Sequence, residues 1–311
     1  MSNWTTADMP SQEGRTAIVT GANSGIGYHA ALALGRSGAH TILACRDAGR
    51  GEAALARMRA EAPDADFELR LVDMASLDSI RAFAYAAPDR VDLLLNNAGV
   101  MAPPRRETAD GFELQFGTNH LGPFALTGLL LGSLALADAP RVVTMSSNMH
   151  KMGGLDFDDL QGDRKYRRWF AYGHSKLANL LFAFELQRRA TAAGSDLLSL
   201  AAHPGYAATE LHSKGAQIGG ATLQEKIMGL GVKLGAQSSA DGALPMLYAA
   251  TAPGVPGGAF VGPSKRMETV GPPKLTKGST HSRDEAAARR LWEVSEQLTD
   301  VHYAFEAPAL S

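Results

Sequence analysis

The chain has 311 residues, of which 45% are hydrophobic and 20% are charged, and its formal net charge is −2. This composition is typical of a globular protein and excludes wholesale disorder. A protein that coats nucleic acid or an anionic membrane needs a clear basic excess, so the charge excludes both kinds of partner. The single cysteine, Cys45, excludes an internal disulfide and a cysteine-rich metal cage. We expect no metal site and a reducing, cytoplasmic location.

No segment is typical of a signal peptide or of a membrane span. Residues 1–15 lack a basic start followed by an apolar stretch. Residues 121–137 form the most apolar stretch, but they are too few for a span and include glycine, proline, serine and threonine. We therefore expect a buried helix at this position and no membrane span.

Short apolar runs alternate with amphipathic segments from Arg15 onward. Runs that are rich in Val, Ile and Leu without strict alternation predict strands covered on both faces. The predicted strands are residues 16–20, 40–44, 67–72, 91–95, 141–145, 197–202 and 257–262. The predicted helices are residues 25–37, 46–61, 76–87, 109–137, 172–192, 236–250 and 284–300.

This alternation predicts an α/β fold, a doubly wound parallel sheet of about seven strands with helices on both faces. Composition does not break along the chain, so we expect a single domain over residues 15–311, preceded by a polar N-terminal arm over residues 1–14. Residues 206–235 are too many for a plain connection between a strand and a helix, which indicates a functional loop.

A glycine-rich turn, TGANSGIG at residues 20–27, follows the first predicted strand. Gly21 permits a tight turn, Gly25 allows the backbone close to a pyrophosphate, and Gly27 lets the helix pack on the strand. The N-terminus of the following helix then donates N–H groups to phosphate oxygens. An ordinary strand–helix turn is the alternative interpretation. The other candidates for cofactor contact in this turn are Asn23, Ser24 and Ile26.

The end of the second strand carries Cys45, Arg46 and Asp47. A carboxylate at this tip would bond the ribose 2′-hydroxyl and select NAD. The planar guanidinium of Arg46 instead suits a 2′-phosphate, which favours NADP. Asp47 keeps NAD open as the less favoured cofactor, and a solvated Arg46 that merely begins a helix is the structural alternative.

Polar and small residues also follow the third and fourth strands. Asp73, followed by Met74, is placed to accept from an adenine amino group. Residues 96–99 read Asn-Asn-Ala-Gly, and the small pair Ala98 and Gly99 lets the backbone run beside a cofactor. Asn97 is a further cofactor candidate, although Asn96 and Asn97 also suit a plain turn.

Tyr172 and Lys176 lie four residues apart at the start of a long helical segment and share one helix face. A phenol normally titrates near ~10, so it is a poor acid–base group at neutral pH unless a neighbour stabilises the phenolate. We expect the Lys176 ammonium to lower the pKa of Tyr172. Ser147, beyond the fifth strand, is placed to polarise a carbonyl oxygen.

The motifs at residues 20–27, 96–99, 147, 172–176 and 204–209 occur in one order along the chain. Together they resemble the short-chain dehydrogenase/reductase family, with its TGxxxGxG, NNAG, strand-end serine, YxxxK and PGxxxT elements. Residues 108–122 are similar to the branch that contains retinol dehydrogenases and the WW-domain oxidoreductase. The resemblance covers about residues 15–300 and implies a Rossmann-type fold.

The resemblance also implies site residues. Tyr172 matches the family's acid–base, Ser147 the substrate-orienting serine, Lys176 the ribose-binding lysine, and Asn119 the asparagine that supports the lysine through water. The PGxxxT element places Pro204, Gly205 and Thr209 at the cofactor, with Thr209 on the nicotinamide carboxamide.

The expected function is an oxidoreductase that interconverts a carbonyl and an alcohol with NADP. Residues 148–171 are inserted between Ser147 and Tyr172. Together with residues 206–235 and part of the C-terminal segment, they are expected to form the substrate pocket. Their apolar side chains indicate a small lipophilic substrate. An NADP-binding scaffold or sensor without turnover is the alternative, and a homo-oligomer stays open.

Overall fold

The computed structural model describes residues 3–206 and 237–305. These residues form one eight-stranded sheet with helices on both faces, which confirms the predicted fold class. The strands are β1 Thr16–Thr20, β2 His40–Cys45, β3 Phe67–Leu71, β4 Leu93–Asn96, β5 Arg141–Met145, β6 Leu198–Ala202, β7 Phe260–Lys265 and β8 Val270–Thr276.

The strand order is β3-β2-β1-β4-β5-β6-β7-β8, and every neighbouring pair except β7 and β8 is parallel. From β1 the chain first builds outward through β2 and β3, and it then restarts on the other side at β4. Ile18 of β1 lies opposite Ile42 on one side and Leu94 on the other. In such sheets the ligand crevice opens at the carboxyl ends of the strands where the order reverses, here between β1 and β4.

The helices flank this sheet in two layers. The helices are α1 Gly25–Arg36, α2 Ala48–Glu61, α3 Leu77–Tyr85, α4 Leu114–Phe116, α5 Gly122–Leu129, α6 Leu131–Ala135, α7 Arg168–Ala192, α8 Ser239–Thr251 and α9 Glu285–Thr299. Alternate residues of one strand face opposite layers, so that Val19 joins the cluster under α1 and α8 and Ile18 joins the cluster under α3, α5 and α7. Among the described residues, no helix combines the length and the apolar character needed to cross a membrane.

The helix predicted over residues 109–137 is interrupted in the structure. Glu113 caps α4 by accepting hydrogen bonds from the N–H groups of Gln115 and Phe116, so the helical segment begins later than predicted. A π-helical turn, Gly117–Leu121, separates α4 from α5. Such turns widen a helix locally and are frequent at functional sites.

The sheet has one strand more than the seven predicted. β8 pairs antiparallel with β7 and forms the edge of the sheet, and it contains the pair Pro272 and Pro273. Proline cannot donate to a strand ladder and is therefore tolerated mainly at edges, so a proline-rich strand leaves no strand signal in the sequence. β7 itself is shifted to Phe260–Lys265 from the predicted residues 257–262.

The N-terminal segment, predicted as a polar arm, contributes to the core. Trp4 is only 8% exposed and packs edge-to-face on Tyr248 of α8, with ring centroids 5.4 Å apart. Gln12 is also buried, and its side chain bonds the carbonyl oxygens of Pro10 and Ser11. The Trp4 contact and the N–H of Gln12, which donates to the carbonyl oxygen of Ser37 (2.7 Å), therefore hold the segment on the domain. The polar composition of residues 1–14 conceals both contacts.

Replacing Trp4 with alanine should lower the free energy of unfolding by about 3 kcal/mol, because truncating a buried aromatic removes apolar contact and leaves a cavity. Urea denaturation measures this change. Tyr85→Ala is the control, since Tyr85 is 95% exposed and should change stability by less than about 0.5 kcal/mol. Equal effects of the two variants would show that the Trp4 contact does not stabilise the fold.

Candidate active site

The glycine-rich turn lies at the switch point between β1 and β4. Gly21 has φ +67° and Gly25 has φ +57°, conformations that favour glycine. A Cβ on Gly27 would lie 2.4 Å from the carbonyl oxygen of Gly21 and 2.5 Å from Nδ2 of Asn97. Position 27 therefore has room only for glycine, and α1 packs directly against the ends of both central strands.

Thr20 joins the turn to the end of β4, a role that the sequence analysis missed. Its Oγ1 accepts hydrogen bonds from the N–H groups of Asn97 (2.9 Å) and Ala98 (3.0 Å). The side chain of Asn97 donates in return to the carbonyl oxygen of Thr20 (2.9 Å). Asn97 thus serves this junction with its side chain. The threonine directly before Gly21 in the motif was the available signal for this role.

The N-terminus of α1 fits a phosphate group. Its N-cap residue, Ser24, is extended, with φ −163° and ψ 166°, and makes no side-chain capping hydrogen bond. The first N–H groups of a helix lack partners within the helix and carry a partial positive charge. An uncapped N-terminus after a glycine turn is therefore the donor set that a dinucleotide pyrophosphate requires.

At the tip of β2, the side chains of Arg46 and Asp47 differ in their contacts. The Arg46 side chain is exposed just beyond the last residue of the strand. Asp47 is the N-cap of α2, and its Oδ1 accepts a hydrogen bond from the N–H of Arg50 (2.8 Å). Cys45 is 1% exposed, and burial raises the pKa of its thiol to about 11. Of the two charged groups, Asp47 already has a structural role.

Asp73 and Met74 follow β3 at the same edge of the sheet. Oδ1 of Asp73 accepts a hydrogen bond from the N–H of Ala75 (2.9 Å), and the N–H of Asp73 donates to Oγ of Ser79 (2.9 Å). Met74 is 5% exposed. Asp73 is therefore held in a turn, and its contact with adenine stays a prediction.

Asn119 lies in the π-helical turn and pairs with the segment after β4. Its Oδ1 accepts from the N–H of Val100 (2.7 Å), and its Nδ2 donates to the carbonyl oxygen of Val100 (2.9 Å) and to Oγ of Ser175 (2.9 Å). A Cβ on Gly99 would lie 2.9 Å from Oδ1 of Asn119 and 3.4 Å from Nζ of Lys176. Gly99 thus lets the strand end approach the asparagine and the lysine together.

Ser147 follows β5 and lies beside Tyr172. The Ser147 hydroxyl is close enough to the Tyr172 phenol to lower its pKa. Oγ of Ser147 accepts a hydrogen bond from the N–H of Met149 (3.2 Å). His150 fixes the backbone of Ser147: its Nε2 accepts from the N–H of Ser279 (3.1 Å), so its Nδ1 carries the proton and donates to the carbonyl oxygen of Ser147 (2.6 Å). Burial lowers the pKa of His150, which keeps the ring neutral and this pairing intact.

The electrostatics of Tyr172 differ from the expectation. Burial raises the pKa of the phenol to about 12, and the nearby Ser147 hydroxyl acts in the opposite direction. Burial likewise lowers the pKa of Lys176 to about 8. Nζ of Lys176 lies 5.8 Å from the centre of the Tyr172 ring and donates to the carbonyl oxygen of Met145 (3.1 Å). Burial therefore dominates the pKa of Tyr172 in the protein alone, and the lowering of this pKa by Lys176 stays a prediction.

Pro204 and Gly205 lie beside Gln237 and the turn between β7 and β8. Gly205 has φ +63°, and a Cβ there would lie 2.3 Å from the carbonyl oxygen of Thr269. The carbonyl oxygen of Pro204 accepts from Nε2 of Gln237 (2.7 Å). Thr209 and nearly all of the predicted loop over residues 206–235 lie outside the described residues.

The structure brings Asn119, Ser147, Tyr172 and Lys176 together at the carboxyl ends of the strands, next to the ends of β4 and β5.

The family model described as short chain dehydrogenase matches residues 15–217. Human retinol dehydrogenase 13 is 42% identical over 304 residues, covering 96% of this chain and 87% of the relative. Human retinol dehydrogenase 14 is 38% identical over 303 residues, covering 92% of this chain and 86% of the relative.

Solved structures show the same fold. A protein from Mycobacterium paratuberculosis is 44% identical and covers 97% of this chain and 100% of its own, with a TM-score of 0.81. A protein from Beutenbergia cavernae, described as an NAD(P)-dependent gluconate 5-dehydrogenase with bound NADP, is 25% identical with a TM-score of 0.60. It covers 78% of this chain and 91% of its own. The similarity thus extends over most of each chain.

The buried ammonium of Lys176 should make stability depend on pH. Between its lowered pKa of about 8 and the ordinary value of 10.5, the unfolded chain holds a proton that the folded protein has lost, so stability rises with pH. Relative to Lys176→Met, the parent protein without ligand should gain about 1–2 kcal/mol between about pH 7.5 and 9.5. Denaturation of both proteins in the same buffers cancels the other titrating groups, and a constant difference would contradict the lowered pKa.

Proposed function

Because the chain belongs to the short-chain dehydrogenase family, we propose that it interconverts a carbonyl and an alcohol, with NADP as the hydride carrier. The observation that carries the proposal is the proximity of the Tyr172 phenol to the Ser147 hydroxyl, with the Lys176 ammonium 5.8 Å from the centre of the Tyr172 ring. These three groups are a proton donor, a hydrogen-bond donor and a cation, which together serve proton transfer to a substrate oxygen.

Tyr172 is the acid–base in this proposal. With a pKa of about 12, the phenol keeps its proton at neutral pH and is ready to donate it to the oxygen of a carbonyl that is being reduced. Ser147 holds that oxygen by a hydrogen bond, and His150 keeps Ser147 in place. The nicotinamide cofactor, when bound, supplies or accepts the hydride.

Lys176 has two roles in the proposal. Its ammonium has three N–H donors, and the carbonyl oxygen of Met145 accepts from it. Ribose hydroxyls suit the remaining donors. When Tyr172 gives up its proton, the same positive charge favours the phenolate. Asn119 donates to Ser175, which lies in the same helix as Lys176, and so keeps α7 against the strand end of β4.

Arg46 supports NADP over NAD. Its guanidinium is exposed at the tip of β2, where the 2′-substituent of a bound dinucleotide is expected. Asp47, the group that would favour NAD, instead caps α2. The structure of the relative from Beutenbergia cavernae is described with NADP bound at low occupancy, which is consistent with this preference.

A lipophilic substrate is supported by the relatives that are described as retinol dehydrogenases and by the inserted residues 148–171. Met152 lies against α7 beside Tyr172, since a Cβ on Gly173 would be 3.5 Å from its sulfur. Leu155 and Phe157 instead pack against the cluster around Leu177, so we assign these two to packing. Turnover with a panel of lipophilic aldehydes and ketones tests the proposal, and its absence with intact NADPH binding would favour a cofactor-binding scaffold.

Replacing Tyr172 with phenylalanine should abolish nearly all turnover and leave the Kd for NADPH within about threefold, because only the proton donor is removed. Fluorescence titration gives the Kd, and initial rates with an aldehyde give kcat. Tyr85→Phe is the matched control at a 95% exposed position and should keep the parent rate. Survival of half the parent kcat in Tyr172→Phe would exclude Tyr172 as the acid–base.

Arg46→Ala should weaken the binding of NADPH more than that of NADH, by about 1.5–3 kcal/mol, because a charge-assisted bond to the 2′-phosphate is lost. Asp47→Ser keeps an N-cap side chain for α2 and removes only the carboxylate. It should leave the Kd for NADH unchanged. Selective weakening of NADH in Asp47→Ser, with equal losses for both cofactors in Arg46→Ala, would assign NAD instead.

A further inference from the structure

A buried side-chain amide, Gln115, joins three segments around the site. Its exposed fraction is 0%. Its Oε1 accepts a hydrogen bond from the N–H of Ala102 (2.8 Å), and its Nε2 donates to the carbonyl oxygen of Arg168 (2.9 Å) and to the hydroxyl of Tyr166 (2.9 Å). Both N–H donors and the oxygen of the amide are therefore in use.

Gln115 repeats the arrangement of Asn119, four residues later in the chain. Asn119 bonds Val100 in the segment after β4 and reaches Ser175 in α7. Gln115 bonds Ala102 in that segment and reaches Arg168, the first residue of α7. The two side-chain amides thus bond alternate residues of the segment after β4, and each also bonds a residue of α7.

Ala102 needs this partner. It is 3% exposed, and its φ of +48° is in the left-handed region that non-glycine residues seldom adopt. A buried N–H without an acceptor is costly, and Oε1 of Gln115 is the acceptor here. Gln115 therefore stabilises the strained turn that follows the Asn-Asn-Ala-Gly strand end.

Tyr166 extends the clamp into the inserted residues 148–171. Its hydroxyl accepts from Gln115 and donates to Oε1 of Glu113 (3.0 Å). Glu113 is 2% exposed, and its carboxylate also accepts from the N–H groups of Gln115 and Phe116. Because each member has its partners, the network is rigid.

We propose that Gln115 is a positioning residue for the reaction, which holds the first turn of α7, and with it Tyr172, at a fixed place relative to the strand end of β4. In an α-helix the carbonyl of residue i accepts from the N–H of residue i+4, so the Arg168 carbonyl that Gln115 bonds is the one paired with Tyr172. The inference rests on the function proposed above, since it concerns the placement of the same phenol.

Gln115→Met is the first test, because methionine has a similar volume and none of the three hydrogen bonds. A small misplacement of a reacting group costs up to about a hundredfold in rate. We expect kcat of the variant to fall about tenfold to a hundredfold, with KM for NADPH within about twofold of the parent. An unchanged kcat in the folded variant would overturn the proposal.

Gln12→Met is the matched control. Gln12 is 1% exposed and makes three side-chain hydrogen bonds, with Pro10, Ser11 and Arg15. It precedes β1 and so lies at the amino ends of the strands, whereas the candidate site lies at their carboxyl ends. It should lose thermal stability and keep kcat. Equal losses of kcat in the two variants would reduce Gln115 to a structural role.

Tyr166→Phe covers the case in which Gln115→Met does not fold. It removes one hydrogen-bond partner of the Gln115 amide and leaves the bonds to Ala102 and Arg168, so kcat should fall about threefold to tenfold. An unchanged kcat in this variant would then overturn the proposal.

Hydrogen exchange of the full chain with bound NADPH gives a readout that does not need turnover. Exchange over residues 168–176 should quicken in Gln115→Met, which loses the bond to Arg168, and less so in Tyr166→Phe, which removes one partner of the amide that makes this bond. Gln12→Met changes none of these contacts and should leave the exchange unchanged. If no carbonyl is turned over by the parent, the proposed function fails, and the exchange rates alone decide whether Gln115 holds α7. Unchanged exchange in both variants would overturn the positioning role.

Discussion

The close approach of the first turn to the end of the fourth strand is the constraint on which the site depends. Position 27 has no room for a side chain, because Gly21 and Asn97 already occupy the place of a Cβ. Thr20 binds the two sides together by accepting two backbone N–H groups with one hydroxyl. This junction sets α1 and the strand end of β4 at the switch point of the sheet, where the uncapped N-terminus of α1 opens.

A series of short contacts leads from this junction to Lys176 and Tyr172. Gly99 lets β4 approach Asn119 and Lys176, and Asn119 in turn bonds α7 through Ser175. The Ser175 hydroxyl donates to the carbonyl oxygen of Tyr172 (2.8 Å), so the asparagine holds the backbone of the phenol-bearing residue at one remove. Gly99 therefore permits the close approach of the strand end to α7, and the side-chain amide of Asn119 holds the two segments together.

The layers of the fold were predictable from the sequence, because parallel strands covered on both faces read as unbroken apolar runs and helices between them read as amphipathic segments. The glycine turn and the pairing of Tyr172 with Lys176 were predictable from spacing, since both depend on local geometry. β8 was not, because its prolines conceal an edge strand, and Trp4 was not, because a single aromatic contact leaves no periodic signal. The role of Gln115 was not predictable for a related reason, since the partners of its side-chain amide in α7 and in the inserted residues lie far away in the chain.

The pKa shifts of Tyr172 and Lys176 could not be read from spacing either, because burial is a property of the folded chain. Their proximity in sequence suggests mutual stabilisation of the charged forms, whereas the structure favours the neutral form of each. A buried ammonium with one backbone acceptor costs stability, and proteins retain such costs chiefly at functional sites. Ligand hydroxyls that accept from Nζ would offset this cost and keep the charge in place. The same charge would then act on the phenol, so the acid–base strength of Tyr172 is coupled to occupancy of the crevice beside it.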